Sequence, residues 1–217
     1  MLLSQLLALP HGVIAVTGSG GKTSLLRRLA AELDGTVLLT TSTHIFPFDG
    51  VPLLLAPAAD TLRAAFSASR VLCAGIPEPG SGKLTALPYP LAGLSDYVLC
   101  EADGSHGLPL KAHLPHEPVI PEDAVRTVQV VGLSGLGQPI RDAAHRSAQY
   151  AMLCSAEEDE RVTPELAAAV LRQEAQPDIY YLNQAEGRLD DARRLAALLL
   201  RPCIAGSLQE EWFLCLS

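Results

Sequence analysis

The chain has 217 residues, 48% of them hydrophobic, which is enough to bury an α/β core without disulfide or metal staples. A formal charge of -8 speaks against nucleic acid and anionic membrane as partners, while a small polyanion can still bind locally. The cysteines Cys73, Cys100, Cys154, Cys203 and Cys215 form no C-x-x-C pair and lie mostly in apolar runs, which fits buried packing in a reducing cytosol rather than a disulfide framework.

Residues 1–9 are apolar but lack a basic leader and run straight into the first strand, so they are expected as a short amphipathic helix capping the sheet, not a cleaved signal. No apolar run reaches the ~18 residues of a membrane span, and the expected location is the cytoplasm. Strand-like and helix-like runs then alternate. Residues 13–17 read as a strand, 23–33 as a helix ended by Asp34-Gly35, and 36–41 as a second strand. Val51 to Leu55 follows as a strand, then a helix over 58–68 and a strand over 70–74. The Pro- and Gly-rich segment 75–93 is expected as a mobile loop with a hairpin strand at 83–87. Unbroken apolar character makes 97–101 and 127–131 central strands. Beyond them come a helix over 141–155, a second helix capped by Thr163 with Pro164 in its first turn and running to Arg172, and a strand at 179–183. A helix capped by Asp190 or Asp191 runs to Leu200, an inner strand spans 203–206, and 212–216 closes an edge. The alternation predicts an α/β fold: three layers, a mostly parallel sheet flanked by helices, with residues 1–217 as a single domain.

The most informative stretch is Val13 to Ser24, an apolar strand that breaks into Gly18-Ser19-Gly20-Gly21 and delivers Lys22-Thr23-Ser24 onto the first turn of a helix. Glycines let successive amides converge on an anion, and the helix start adds its partial positive charge. Lys22 suits β- and γ-phosphate oxygens, and the Thr23 hydroxyl is a hard ligand for Mg²⁺. Val16 stands where the commonest phosphate-loop spelling has its first glycine. The shorter G-x-G-G-K-T form resembles the loop of muramyl-ligase-like ATP-binding proteins more than that of small GTPases. The expected ligands are ATP or GTP with Mg²⁺.

Ligands of doubly wound sheets sit at the carboxyl ends of strands, and three such ends here are polar. Thr40-Thr41-Ser42-Thr43-His44 offers hydroxyls and an imidazole to metal-bound water or a γ-phosphate, or is a β-prone run ending in an exposed histidine. Glu101-Ala102-Asp103-Gly104-Ser105 places an acid at the end of an apolar strand, where a carboxylate meets Mg²⁺ or orients water, and the turn at Gly104 is expected to expose both acids. Lys111 is positioned to pair with phosphate or with one of those carboxylates. Cys100 is the thiol beside them, equally explained as a buried strand cysteine. Asn183-Gln184-Ala185-Glu186 stands where guanine-specific P-loop proteins read N-K-x-D, and a polar loop without base contact explains it as well.

Taken in order, the phosphate loop, Thr40 to Ile45, Glu101 to Ser105, Pro109-Leu110-Lys111, His116 to Pro121, Val131 to Ser134, His145-Arg146 and Leu182-Asn183 resemble the YqeC-type accessory proteins associated with selenium-dependent molybdenum hydroxylases. The resemblance implies a small P-loop protein serving maturation of such a hydroxylase or its cofactor machinery. Ser42 and Gln184 stand where the family more often shows Thr and Lys. His116, Glu117 and Arg146 look like family positions of unassigned duty. His116 at a pocket wall and Arg146 on phosphate are one reading of them, structural hydrogen bonding the other. The mechanism that follows is Mg²⁺-dependent phosphoanhydride cleavage or phosphoryl transfer. Lys22 and the loop amides stabilise charge, Thr23 and Glu101 hold the metal, Asp103 or His44 orients water or an acceptor, and Asn183 contacts the nucleotide. A muramyl-ligase-like ligase or kinase, and a non-catalytic nucleotide switch for a partner enzyme, are the alternatives.

Overall fold

A computed structural model describes residues 1–216 of the chain. In chain order the elements are α1 (Leu3–Leu6), β1 (Gly12–Gly18), α2 (Lys22–Glu32), β2 (Val37–Thr41), β3 (His44–Ile45), β4 (Leu53–Leu55), α3 (Ala59–Ala65), β5 (Val71–Pro77), β6 (Leu84–Thr85), β7 (Tyr97–Glu101), β8 (Leu110–Lys111) and β9 (Ala124–Gly132). A 3₁₀ turn at Leu133–Gly135 leads into α4 (Ile140–Ala143), β10 (Ala144–His145), α5 (Ser147–Cys154), α6 (Pro164–Gln173), β11 (Ile179–Asn183), α7 (Leu189–Leu198), β12 (Cys203–Ser207) and β13 (Trp212–Cys215).

One 11-stranded sheet runs β13-β12-β11-β9-β1-β7-β2-β5-β6-β3, with β4 also on β5. From β12 to β5 and β4 every pairing is parallel, and β13, β6 and β3 attach antiparallel at the edges. The three-layer, mostly parallel α/β architecture expected from the alternation is therefore present. Period-2 alternation within the strands sorts their side chains onto two faces. Ile14, Val16, Val128, Val130 and Tyr181 pack under Leu25, Leu26 and Leu29 of α2 and under Leu3 and Leu7. On the opposite face, Val131, Tyr180 and Leu182 pack with Ala167, Val170 and Leu195 of α6 and α7. Val13, Leu38 and Val98 of that same face pack under Leu62 of α3.

Several local expectations needed revision. The helix expected over 141–155 is interrupted, because Ala144-His145 pairs as a short strand with Leu110-Lys111, and Arg146 then turns with φ +63°. The tertiary pairing outweighs the helix propensity of this run. Residues 75–93 are partly built into the sheet edge, where β6 joins β5 and β3 and buries Leu84, Leu87 and Leu91. Neither Asp190 nor Asp191 caps α7; both lie in its first turn, where their charge still favours the helix start. Thr163 does cap α6, accepting from the Leu166 amide at 3.3 Å.

The chain leaves β1 toward β2 on one side and leaves β9 toward β11 on the other. That reversal of strand order puts a crevice at the carboxyl ends of β1 and its neighbours.

Candidate functional site

A cleft of about 870 Å³ opens at this edge. Its floor is Gly20 to Ser24, one wall carries Glu101, Ser105 and Arg146, another carries Thr43, His44, Phe46 and Glu78, and Gln184 marks the far end.

The loop is shaped by close packing. Gly20 has φ +88°, and a Cβ there would lie 2.4 Å from the Gly132 Cα; Gly21 has φ +122°, and a Cβ would lie 2.5 Å from the Asn183 Nδ2. No L side chain fits either position without moving backbone or a buried amide. Helix α2 starts at Lys22 without a side-chain cap, and the amides of Gly20, Gly21, Lys22, Thr23 and Ser24 donate to no protein acceptor among the described residues. The two preceding amides are committed. Gly18 N donates to Asp103 Oδ2 at 2.8 Å and Ser19 N to the Val130 carbonyl at 2.9 Å. The Ser19 hydroxyl donates to the Leu108 carbonyl.

Lys22, almost wholly buried, donates to the Gly18 carbonyl at 2.7 Å and to Ser105 Oγ at 3.3 Å. Its ammonium stands 3.0 Å from Asp103 Oδ1 and 3.8 Å from Glu101 Oε1. The Asp103 contact is a charge contact only, since that oxygen lacks hydrogen-bond geometry with any partner. Thr23 Oγ1 donates to Glu101 Oε2 at 3.2 Å. Burial raises the Glu101 carboxyl above its ordinary range, against the pull of Lys22. The hydroxyl and carboxylate expected to hold a metal are thus side by side, at the cleft floor.

Asp103 departs from the expectation that the Gly104 turn exposes both acids: its side chain has no exposed surface. Its Oδ2 accepts from Gly18 N and lies 2.6 Å from His113 Nε2 and 3.2 Å from Lys111 Nζ. Burial alone would raise this carboxyl, but the His113 hydrogen bond and the charges of Lys22 and Lys111 hold it far below the usual range. Lys111 also donates to the Gly104 carbonyl at 2.7 Å and lies 3.4 Å from Glu117 Oε2. Of its two expected partners the structure supplies the carboxylate. Asp103 is thus enclosed beneath the loop, where it anchors the Gly18 amide and the surrounding positive charges.

His113 was not among the residues singled out in the sequence. Its ring nitrogens bridge two carboxylates, Nε2 to Asp103 and Nδ1 to Glu174 Oε2 at 2.8 Å, while its amide donates to Glu174 Oε1 at 2.6 Å. A ring nitrogen facing an ionised carboxylate donates to it, so two carboxylates on opposite sides of the ring favour its doubly protonated, imidazolium form. Burial opposes that charge, but the two carboxylates win and raise the His113 pKa. No sequence motif announced it, because Glu174 reaches it from the far end of α6.

The other expected residues divide. Arg146 lines the cleft, and its guanidinium is engaged by protein: it donates to Glu117 through both terminal nitrogens, at 2.5 and 2.8 Å, and to the Ala112 carbonyl at 3.0 Å. Despite burial, Arg146 and Lys111 lower the Glu117 pKa to about 2. His116 is exposed and lies outside the cleft lining. His44 stands half-exposed at the rim with Nε2 3.0 Å from Glu78 Oε1. Thr40 and Thr41 donate to the Ala74 and Glu101 carbonyls at 2.9 and 2.7 Å, which leaves Thr43 as the hydroxyl of that run at the cleft. Asn183 turns toward the loop, its Nδ2 donating to the Gly20 carbonyl at 2.8 Å and its Oδ1 accepting from Tyr181 OH at 3.1 Å. Glu186, the base-reading candidate, accepts from the Ser207 hydroxyl instead. Cys100 is fully buried, and burial pushes its thiol up to about 12, so it is inert packing. His106 and His145 stack at 4.6 Å; burial and the neighbouring Arg146 and His106 charges lower His145 to about 4, which leaves it neutral at pH 7.

The fold and cleft define a three-layer α/β protein with a glycine loop and a helix start facing the carboxyl edge of a parallel sheet. Within that class the chain belongs to the YqeC family: the family model described as "YqeC protein" matches residues 14–148. That span takes in the loop, Glu101, Asp103, His113, Glu117 and Arg146. The chain is also similar to a protein of Escherichia coli (strain K12) named "Uncharacterized protein YqeC", with 37% identity over 151 residues, covering 64% of this chain and 59% of that relative. This chain therefore matches about three-fifths of the relative's length. No solved structure matches it. Among the described residues no helix is long and apolar enough to cross a membrane.

Proposed function

We propose that this protein binds a nucleoside triphosphate, ATP or GTP, with Mg²⁺ and cleaves or transfers its terminal phosphoryl group. The observation that carries the reading is the run of amides from Gly20 to Ser24 with no protein acceptor, opening on the cleft beside the Lys22 ammonium. Such a run at a helix N-terminus favours an anion over water by geometry and by partial charge. Lys22 would move from its acidic neighbours onto the β- and γ-phosphate oxygens. Thr23 Oγ1 and the Glu101 carboxylate, 3.2 Å apart and both hard oxygen donors, fit a magnesium ion and would hold it. When bound, the ion supplies neutralisation of phosphate charge. Asp103 anchors the loop through Gly18 N and competes for Lys22. His44 and Thr43 face the side on which water or an acceptor would enter.

The expected role is service to the maturation of a selenium-dependent molybdenum hydroxylase, on the strength of the family's association. Calorimetric titration with ATP, GTP and their diphosphates, with and without Mg²⁺, tests the binding step. Lys22→Ala is expected to abolish turnover with the fold intact, and unchanged hydrolysis in that variant would refute the assignment. Binding of the nucleotide with negligible turnover, together with nucleotide-dependent capture of a partner, would favour the switch reading.

A further inference from the structure

Phe46 and Lys83 sit at one end of the cleft with no part in the phosphate chemistry. Phe46 is 59% exposed, whereas Phe48, two residues on, is 2% exposed. The chain thus has a buried site for an aromatic ring here and leaves the other ring uncovered. The antiparallel pairing His44↔Thr85 and Ile45↔Leu84 carries Phe46 opposite Lys83 by continuation of register, and the Lys83 ammonium stands 5.1 Å from the centre of the ring. Lys83 forms no ion pair among the described residues. The neighbouring carboxylate, Glu78, is in contact with His44 and feels the Lys83 charge without closing an ion pair with it. An exposed ring beside an ammonium that closes no ion pair is a surface for a flat, negatively charged group, which would share Lys83 with the more distant charge of Glu78.

The sheet order gives the direction of approach. Gln184 follows β11, on one side of β1; Glu101 ends β7, and Glu78, Lys83 and Phe46 belong to the β5-β6-β3 edge beyond it. A nucleotide whose metal-bearing end lies between Thr23 and Glu101 has its terminal phosphate facing that edge. From β1 to β5 is three strand spacings, roughly 14 Å, which leaves room for a second molecule beyond the terminal phosphate.

We propose that Phe46 and Lys83 form a subsite for a second ligand, an acceptor with a planar aromatic or heteroaromatic ring and an anionic substituent, seated next to the nucleotide's terminal phosphate. The ring stacks on Phe46 and the anionic group meets Lys83. This assignment of the ligand as an acceptor rests on the nucleotide reading above.

The probe for the test is 4-fluorophenyl phosphate, titrated by ¹⁹F NMR into the full chain saturated with the Mg²⁺ complex of AMP-PNP or GMP-PNP, whichever binds by calorimetry. The expected result is binding that persists in the presence of the analogue and weakens about tenfold in Phe46→Ala and in Lys83→Gln, while each variant keeps its analogue affinity within about twofold. Three results overturn the proposal: probe affinity unchanged in both variants, displacement of the probe by the analogue, or loss of analogue affinity in the variants, which would make the rim part of the nucleotide site. Failure of both analogues to bind the unsubstituted chain is a separate reading in the calorimeter. It sinks the nucleotide assignment, and the description of this ligand as an acceptor with it. Thermal unfolding of each variant checks that these surface changes leave the fold in place.

Discussion

Replacing His113 with Ala should be among the most damaging single substitutions outside the apolar core. The imidazolium is the partner of two buried carboxylates, Asp103 at 2.6 Å and Glu174 at 2.8 Å. Removing one partner of a buried pair costs about 3–5 kcal/mol because a charge is stranded. Asp103 keeps Gly18 N, Lys22 and Lys111, so most of the loss falls on Glu174, which keeps the residue 113 amide as a hydrogen-bond donor and the more distant charge of Arg146. With urea slopes of about 2–3 kcal/mol per molar, the unfolding midpoint should drop by roughly 1–2.5 M. The pH dependence checks the charge. A folded-state pKa raised above the unfolded value stabilises fully below the ordinary imidazole value of 6.5 and less as pH climbs past the raised value. The gap between the unsubstituted chain and His113→Ala should therefore be widest in mildly acidic buffer and narrow in alkaline buffer. A deficit under about 1 kcal/mol, or a gap that stays constant from mildly acidic to alkaline pH, would show that the ring is not a charged bridge.

Gly20→Ala should unfold or badly destabilise the chain, since the new methyl would press on Gly132 backbone at 2.4 Å and the residue would keep φ +88°; soluble yield and thermal midpoint report it, and a stable variant would mean that the loop is not fixed by this contact. Glu101→Gln should leave stability unchanged or slightly raised, because burial already disfavours the charge, while Mg²⁺-dependent nucleotide affinity falls about tenfold or more; equal affinities with and without the substitution would remove Glu101 from the metal site. In the unsubstituted chain, Mg²⁺-dependent binding should weaken at a higher pH than for an ordinary carboxylate as acid is added, since the proton competes at a raised pKa. Asn183→Ala should cost about 1–3 kcal/mol of stability through the orphaned Gly20 carbonyl and lower affinity for ATP and GTP alike; a change confined to GTP would instead restore Asn183 as a base contact.

The parallel strands and the loop were legible because their signals are local. An unbroken apolar run, a glycine cluster and a Lys-Thr pair each lie within a few residues of one another. What was not legible depends on contacts between distant segments. The run 141–155 reads as one helix, yet Leu110-Lys111 claims Ala144-His145 as a strand partner and Glu117 claims Arg146. Asp103 reads as an exposed acid after a strand, and only the arrival of Lys111, His113 and the Gly18 amide encloses it. Nothing nearby in the sequence distinguishes the buried ring of His113 from the exposed ring of His116, three residues away.

That division has a bearing on the loop. Its donors are encoded in five consecutive letters, Gly20 to Ser24, but its shape is imposed from elsewhere: by Asp103 on the Gly18 amide, by the Leu108 carbonyl on the Ser19 hydroxyl, by Asn183 on the Gly20 carbonyl and by Gly132 against the Gly20 Cα. Each clamp comes from a segment more than 80 positions along the chain. Preorganised donors keep their geometry without a reorganisation cost at the moment of binding, and in this protein the preorganisation resides in those clamps. A peptide carrying the Gly18 to Ser24 sequence alone should therefore show no measurable affinity for nucleotide under conditions in which the full chain binds, and comparable binding by the two in parallel titrations would show that the clamps contribute nothing.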